Sequence, residues 1–225
     1  MRVAIYHTPA QDDPLTRRAA LWLGRDAFDR CATRAADPAI DPLVSDPARY
    51  GFHATLKAPF RLADGRSLAE LDAALKAFAQ EQEPVALGPL ALARIGNFLA
   101  LTPTGPVHGL SGLETGIRTH FEPFRAPLTE AEVARRRPDL LTDRQRANLD
   151  RWGYPHVGSD FRFHMTLSNA LDATALPEAE RHIRADFADL LARPLTIDAL
   201  ALFVEPDAGA PFHVHARHAF AQASG

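Results

Sequence analysis

Phe52-His53-Ala54-Thr55-Leu56 returns 111 residues later as Phe163-His164-Met165-Thr166-Leu167. At this chain's residue frequencies His-x-Thr-Leu should arise by chance only about 0.07 times, so a second copy needs a cause. A β-strand turns successive side chains to opposite faces. Each copy therefore predicts a strand with Phe, Leu and the middle residue on a core side and His with Thr on the other. Two imidazoles can supply a general base and a general acid, and two hydroxyls can hold an oxyanion between them.

The flanks repeat as well. Ser67-Leu68-Ala69-Glu70 reads as a capping box opening an amphipathic helix to about Gln82, with Leu68, Leu71, Leu75 and Phe78 on one side. Pro84 introduces strand-like residues from Val85 to Ala93, and another strand spans Phe98 to Pro103. After the second pentapeptide, a helix from about Pro177 to Leu191 turns Ile183, Phe187, Leu190 and Leu191 to one side. Pro194 then introduces Leu195, Ile197, Leu200 and Leu202, followed by a strand from Phe212 to Phe220. The two prolines are offset by 110 residues, almost the offset of the histidines, so one β-α-β-β unit is used twice. The expected fold class is α+β: two pseudo-symmetric lobes of antiparallel sheet with flanking helices, around a central cleft where the motif strands meet. The expected division is a single bilobal domain over 1–225, with lobe one at about 49–122, a helical insert at about 123–158 and lobe two at about 159–222.

Three segments stand outside the repeat. The N-terminus predicts a strand over Arg2 to Tyr6 and a helix from about Leu15 to Arg25, all within residues 1–30. Residues 29–50 carry Asp37-Pro38, Asp41-Pro42 and Asp46-Pro47, which predicts an extended loop. A helix from about Val107 to Phe121 precedes the insert, where Thr129-x-x-Glu132 and Thr142-x-x-Gln145 cap two short helices. The insert carries Arg135, Arg136, Arg137, Arg144, Arg146 and Arg151, then Trp152-Gly153-Tyr154-Pro155. It reads as a solvated hairpin; the functional alternative is a lid placing an Arg or Tyr154 over the cleft.

Composition narrows the setting. With 46% hydrophobic residues, a net charge of -3 and a pI near 6.4, the chain carries no general nucleic-acid-binding surface. The single Cys31 allows neither an internal disulfide nor a cysteine-based zinc site. The apolar start is too short for a signal peptide and no stretch could span a bilayer, so a cytoplasmic protein without a membrane partner is expected. Of 25 basic residues only Lys57 and Lys76 are lysines. In an uninterrupted strand Lys57 shares the face of His53 and Thr55, while Arg162 and Ser168 share that of His164 and Thr166. Lys57 and Arg162 are thus expected to join Thr55 and Thr166 in binding an anionic substrate. Tyr50, Tyr154, Tyr6 and Ser168 are candidate substrate contacts, with packing as the ordinary role of such residues.

His213-Val214-His215-Ala216-Arg217-His218 is a rival constellation, because histidines two apart on a strand can bind a metal. An exposed face of the last strand is the preferred reading, and neither metal nor cofactor is expected.

The paired His-x-Thr-Leu motifs within a doubled β-α-β-β pattern resemble the 2H phosphoesterase superfamily. More narrowly, Tyr50-Gly51-Phe52-His53-Ala54-Thr55-Leu56-Lys57-Ala58-Pro59-Phe60 and Phe161-Arg162-Phe163-His164-Met165-Thr166-Leu167 are similar to its DUF1045 branch. That branch is typically encoded beside genes for phosphonate breakdown. The resemblance implies opening of a cyclic phosphodiester, or 2′-5′ RNA bond chemistry, without a metal. It makes His53 and His164 the acid–base pair, without saying which is the base, and Thr55 and Thr166 the phosphate clamps. The implied partner is a small phosphorylated sugar or nucleotide, most narrowly a ribose cyclic phosphate, with RNA less favoured and the oligomeric state open. A phosphate or nucleotide sensor without catalysis is the remaining alternative.

Overall fold

The computed structural model describes residues 1–221, so residue 222, the expected far bound of the second lobe, lies outside the described residues. Strand β1 (Arg2–His7) and helix α1 (Pro14–Leu23) open the chain, and α1 stops where Gly24 turns left-handed. Helix α2 (Asp41–Tyr50) leads into β2 (Ala54–Phe60). Helix α3 (Leu68–Gln80), strands β3 (Val85–Gly88), β4 (Leu90–Ile95) and β5 (Phe98–Pro103), and helix α4 (Leu110–His120) follow. The insert holds α5 (Glu130–Arg135) and α6 (Asp143–Trp152). The second repeat runs β6 (Met165–Thr166), α7 (Ala175–Leu191), β7 (Leu195–Ile197), β8 (Ala199–Glu205) and β9 (His213–Ala219). The capping boxes read from sequence form as such at Ser67, Thr129 and Thr142, each side chain accepting from the backbone N–H three residues on.

One stretch departs from expectation. Residues 41–50 are helical, not extended. Pro42 falls in the first turn, where a missing N–H costs nothing. Pro47 leaves the Leu43 carbonyl without its helical donor. A residue distant in sequence repairs the defect: the Asn169 backbone N–H donates to Leu43 O at 2.7 Å, while its side chain accepts from Asp46 N and donates to Pro42 O.

The strands form a seven-stranded antiparallel sheet in the order β4-β5-β6-β2-β1-β8-β9, and β3 pairs with β7 in a separate ribbon. The pseudo-two-fold is written in the register. Ala54 pairs with Met165, the middle residues of the two pentapeptides, and Ala86 pairs with Thr196, which stand 110 residues apart. Coverage is reciprocal: α3 of the first repeat packs on β8 and β9 of the second, and α7 of the second on β4 and β5 of the first. Strand β1 breaks the symmetry by inserting between β2 and β8.

Alternation then assigns the faces. Val3, Ile5, Ala54, Leu56, Met165, Leu200 and Leu202 turn to the helices, where they join Leu71, Leu75, Ile183 and Phe187 in the main core. Burial of such a side chain contributes about 2 kcal/mol. Ala4, Tyr6, Ala201 and Phe203 point the other way and form a small second core with Phe212 beneath the cleft. Among the described residues, no helix is long and apolar enough to cross a membrane.

Candidate active site

Pairing of Ala54 with Met165 in antiparallel strands sets Thr55 opposite His164 and His53 opposite Thr166. All four side chains turn away from the helices, toward the same face, with directly opposed Cβ atoms about 5 Å apart. The histidines are anchored alike. His53 Nδ1–H donates to the carbonyl of Gly51 at 2.9 Å, and His164 Nδ1–H to that of Arg162 at 2.7 Å, each two residues upstream. Both rings are thereby held in one tautomer with Nε2 directed outward. The Thr55 hydroxyl lies 3.3 Å from His53 Nε2.

The approach to His53 depends on Gly51, whose φ of +77° carries the chain from α2 into β2. A Cβ there would stand 2.5 Å from that of Ala27, so a side chain cannot be accommodated without backbone movement. The His53 ring stacks on Tyr6 with centroids 3.8 Å apart. Burial, assisted by the neighbouring His164, pushes His53 down to about 4, which leaves it neutral at neutral pH. Burial also pushes the Tyr6 phenol well above its ordinary range and raises that of Tyr154.

His53, Thr55 and Thr166 sit in a cleft of about 850 Å³, while half-buried His164 is not among the residues lining it. Thr55, Thr166, His53, Tyr6, Tyr50 and Tyr154 line it, so the chain's three tyrosines all reach one site. Ser168 lines it too, but its hydroxyl accepts from Leu99 N–H and donates to Asn169 O, both at 2.9 Å, which fixes the strand end rather than a ligand.

Lys57 lies elsewhere. The uninterrupted strand assumed for it does not exist: β1 pairs Tyr6 with Thr55 and Ile5 with Lys57, so Leu56 is an extra residue in a β-bulge. The bulge shifts the phase and puts Ala58, not Lys57, next along the cleft face. Lys57 is buried instead against Glu122 at 2.9 Å and the Arg118 carbonyl. Arg162 is exposed and outside the cleft lining; its contribution to the site is the backbone carbonyl that holds His164.

The insert takes both expected roles. Arg144 pairs with Asp160, Arg146 with Asp143 and Arg137 with Asp139, as on a solvated hairpin. Arg135, Arg136 and Tyr154 nevertheless line the cleft. Arg2, Arg49, Glu205, Arg61 and Asn169 join them without having been singled out by the motif. Glu205 carried a legible signal, a carboxylate closing the otherwise apolar run Ala199–Val204. The lining holds five arginines against Asp46, Glu132 and Glu205, an excess of two positive charges in a chain of net charge -3. Such a field favours an anionic ligand. The rival histidines lie apart: His213 is buried rather than exposed, and His218 pairs with Asp72 at 2.7 Å. No group of three metal-ligating side chains gathers among the described residues.

Acid should destabilise the fold through two histidines, half-buried His53 in the cleft and buried His7. His53 and, one strand over, fully buried His7 are both pushed down to about 4 by burial. Their folded values lie below the unfolded value of about 6.5, so their stabilisation is complete above that pH and lost as pH falls toward 4. Each should remove up to about 3 kcal/mol across that window. Urea midpoints at pH 7, 5.5 and 4.5 measure this, and His7→Gln should flatten the slope. Equal slopes for variant and wild type would contradict the assignment to His7.

The family described as "Protein of unknown function (DUF1045)" matches residues 55–213. A relative from Janthinobacterium sp. (strain Marseille), "Ribose 1,5-bisphosphate phosphokinase PhnN", is 42% identical over 224 residues, covering 94% of this chain and 49% of the relative. A protein of the same name from Laribacter hongkongensis (strain HLHK9) is 36% identical over 217 residues, 95% of this chain and 50% of its own. The chain thus spans about half the length of these curated relatives. Among solved structures, E. coli LigT complexed with 3′-AMP aligns with a TM-score of 0.46 at 16% identity, over 98% of each chain. A structure described as a phosphoesterase aligns at 0.45 and 15%, over 98% of this chain and 99% of its own. With the two pentapeptides paired through Ala54 and Met165 and the family match running from Thr55 to His213 in the last strand, the chain belongs to the DUF1045 family.

Proposed function

We propose that this protein is a metal-independent phosphoesterase of the 2H type that opens a small cyclic phosphodiester. The carrying observation is the twin anchoring of His53 and His164: one tautomer, each Nε2 directed outward, each opposite a threonine on the neighbouring strand. His53, neutral at neutral pH, is the base. Its Nε2 takes a proton from water while the water oxygen bonds to phosphorus. His164 enters protonated and gives its Nε2 proton to the ribose oxygen as the P–O bond breaks, leaving a phosphate monoester. Thr55 and Thr166 donate to the non-bridging oxygens as charge builds.

A ribose cyclic phosphate is the favoured substrate. The curated relatives that this chain matches over about half their length are named for a ribose bisphosphate, which supports a sugar phosphate as the substrate. The kinase chemistry in those names is not assigned to this chain, since Lys57 and Lys76 each follow a leucine and neither closes a glycine-rich phosphate loop.

A panel of ribosyl 1,2-cyclic phosphates, nucleoside 2′,3′-cyclic phosphates and 2′-5′ oligonucleotides tests the proposal. Turnover of the ribosyl compounds, unaffected by EDTA, is expected. The kcat/KM should rise with pH as His53 loses its proton around 4. Turnover of oligonucleotides alone would move the assignment to RNA ends, and loss of activity on chelation would overturn it.

A further inference from the structure

Five arginines line the cleft, and four are engaged. Arg2 and Arg49 are bound to Glu205, Arg61 pairs with Glu132 at 3.1 Å, and Arg135 donates through Nε to the Ala131 carbonyl. The Arg136 side chain makes no hydrogen bond or ion pair among the described residues, while its backbone N–H donates to the Val133 carbonyl at 2.9 Å. It is also the half-buried member of its run, between exposed Arg135 and Arg137. Its guanidinium lies over the Tyr154 ring, 5.1 Å from the centroid. A guanidinium resting on an aromatic face keeps all of its N–H donors for a ligand.

The surroundings point to where that ligand lies. Tyr154 and Arg136 come from the insert, yet both line the cleft with Tyr6, which stacks on His53, and with Tyr50, whose ring lies 6.0 Å from that of His53. Arg136 is close enough to hold down the Tyr6 phenol against the rise caused by burial. The threonine clamps belong to the motif strands β2 and β6, whereas Arg136 comes from the insert, just past the end of α5. Catalysis on one phosphorus is already supplied with two hydroxyls and two imidazoles. A further free guanidinium in the same lining serves a different anionic group.

We infer that Arg136, presented on Tyr154 by the insert, is a specificity-determining residue that binds a second anionic group on the substrate, such as a pendant phosphate on the sugar. This rests on the proposed phosphodiesterase activity for the first group. The insert then reads the part of the substrate that does not react, which gives a helical hairpin on the cleft rim a reason to carry Tyr154 inward.

Two measurements test it. Adenosine 2′,3′-cyclic phosphate and its 5′-phosphorylated counterpart are compared by kcat/KM in the wild type, Arg136→Gln and Arg136→Lys. The preference for the 5′-phosphorylated compound should drop at least about 30-fold in Arg136→Gln, chiefly through KM, with partial recovery in Arg136→Lys, which restores charge but not the planar fork. An unchanged preference would overturn the inference, even if both rates fell. Calorimetric binding of adenosine 2′-monophosphate and adenosine 2′,5′-bisphosphate separates the two layers. If wild type turns over neither of these compounds nor a ribosyl 1,2-cyclic phosphate, the phosphodiesterase reading fails. Tighter binding of the bisphosphate, lost in Arg136→Gln, would still support the subsite, and equal binding of both by wild type would overturn it.

Discussion

Replacing His53 with alanine should lower kcat on a ribosyl cyclic phosphate by about 10³-fold while KM moves less than about threefold. The imbalance follows from the site. Thr55, Thr166 and the arginine-lined wall remain to hold the substrate, but nothing else within reach offers a neutral imidazole nitrogen to attacking water. His164→Ala should cost a similar factor by removing the proton for the leaving oxygen. Because the two act in one event, the double variant should be little worse than either alone. His53→Gln keeps some of the shape and the stacking on Tyr6 without the basicity, so it should be as inactive as alanine. Steady-state kinetics with a circular-dichroism check of folding measure all four variants. A sensor would behave oppositely: loss of affinity with no catalytic change on losing His53 would refute the enzymatic reading.

Glu205→Ala should be among the most destabilising single changes in the cleft wall. Its carboxylate is fully buried, and Arg2, Arg49 and the Gly209 N–H all converge on it. Burial alone would raise its pKa, yet the bonds from the two arginines hold the carboxyl below the usual carboxylate range. Removing it leaves two guanidiniums side by side with no counter-charge, at a cost of about 3 kcal/mol. For a chain of this size that lowers Tm by about 6–12 °C. Glu205→Gln, which keeps the shape and one acceptor, should fall between alanine and wild type. Thermal unfolding near pH 7 decides it; a Tm unchanged in Glu205→Ala would mean that solvent already screens both arginines.

Much of the architecture was legible because it is built from local, periodic signals. The capping boxes at Ser67, Thr129 and Thr142 form where the sequence places them. The 110-residue offset between Pro84 and Pro194 anticipates a two-fold that the Ala86–Thr196 pair then realises. Alternation also placed His53 and Thr55 correctly on one face, since two residues of strand leave little room for phase to drift.

Phase is where the reading of Lys57 broke down. Nothing in Thr-Leu-Lys-Ala announces a bulge; it arises because β1 must keep Val3 opposite Phe60 and Tyr6 opposite Thr55 with unequal spacing. The helix at Asp41–Tyr50 was hidden for a related reason. Asp-Pro pairs favour a loop by every local criterion, and the donor that replaces Pro47's missing N–H comes from Asn169, 126 residues on from Leu43. Arg2, Arg49 and Arg136 reach the cleft from three segments with no shared spacing, so no motif could gather them.

By itself, then, the sequence determined the chemistry at the centre: two imidazoles and two hydroxyls, duplicated on strands whose alternation and repetition depend only on neighbouring residues. Tertiary structure decided which cations line the cleft. Charge placement depends on strand register and on contacts between separate segments, and it turned Lys57 into the core against Glu122 while setting Arg136 over Tyr154 in the cleft lining.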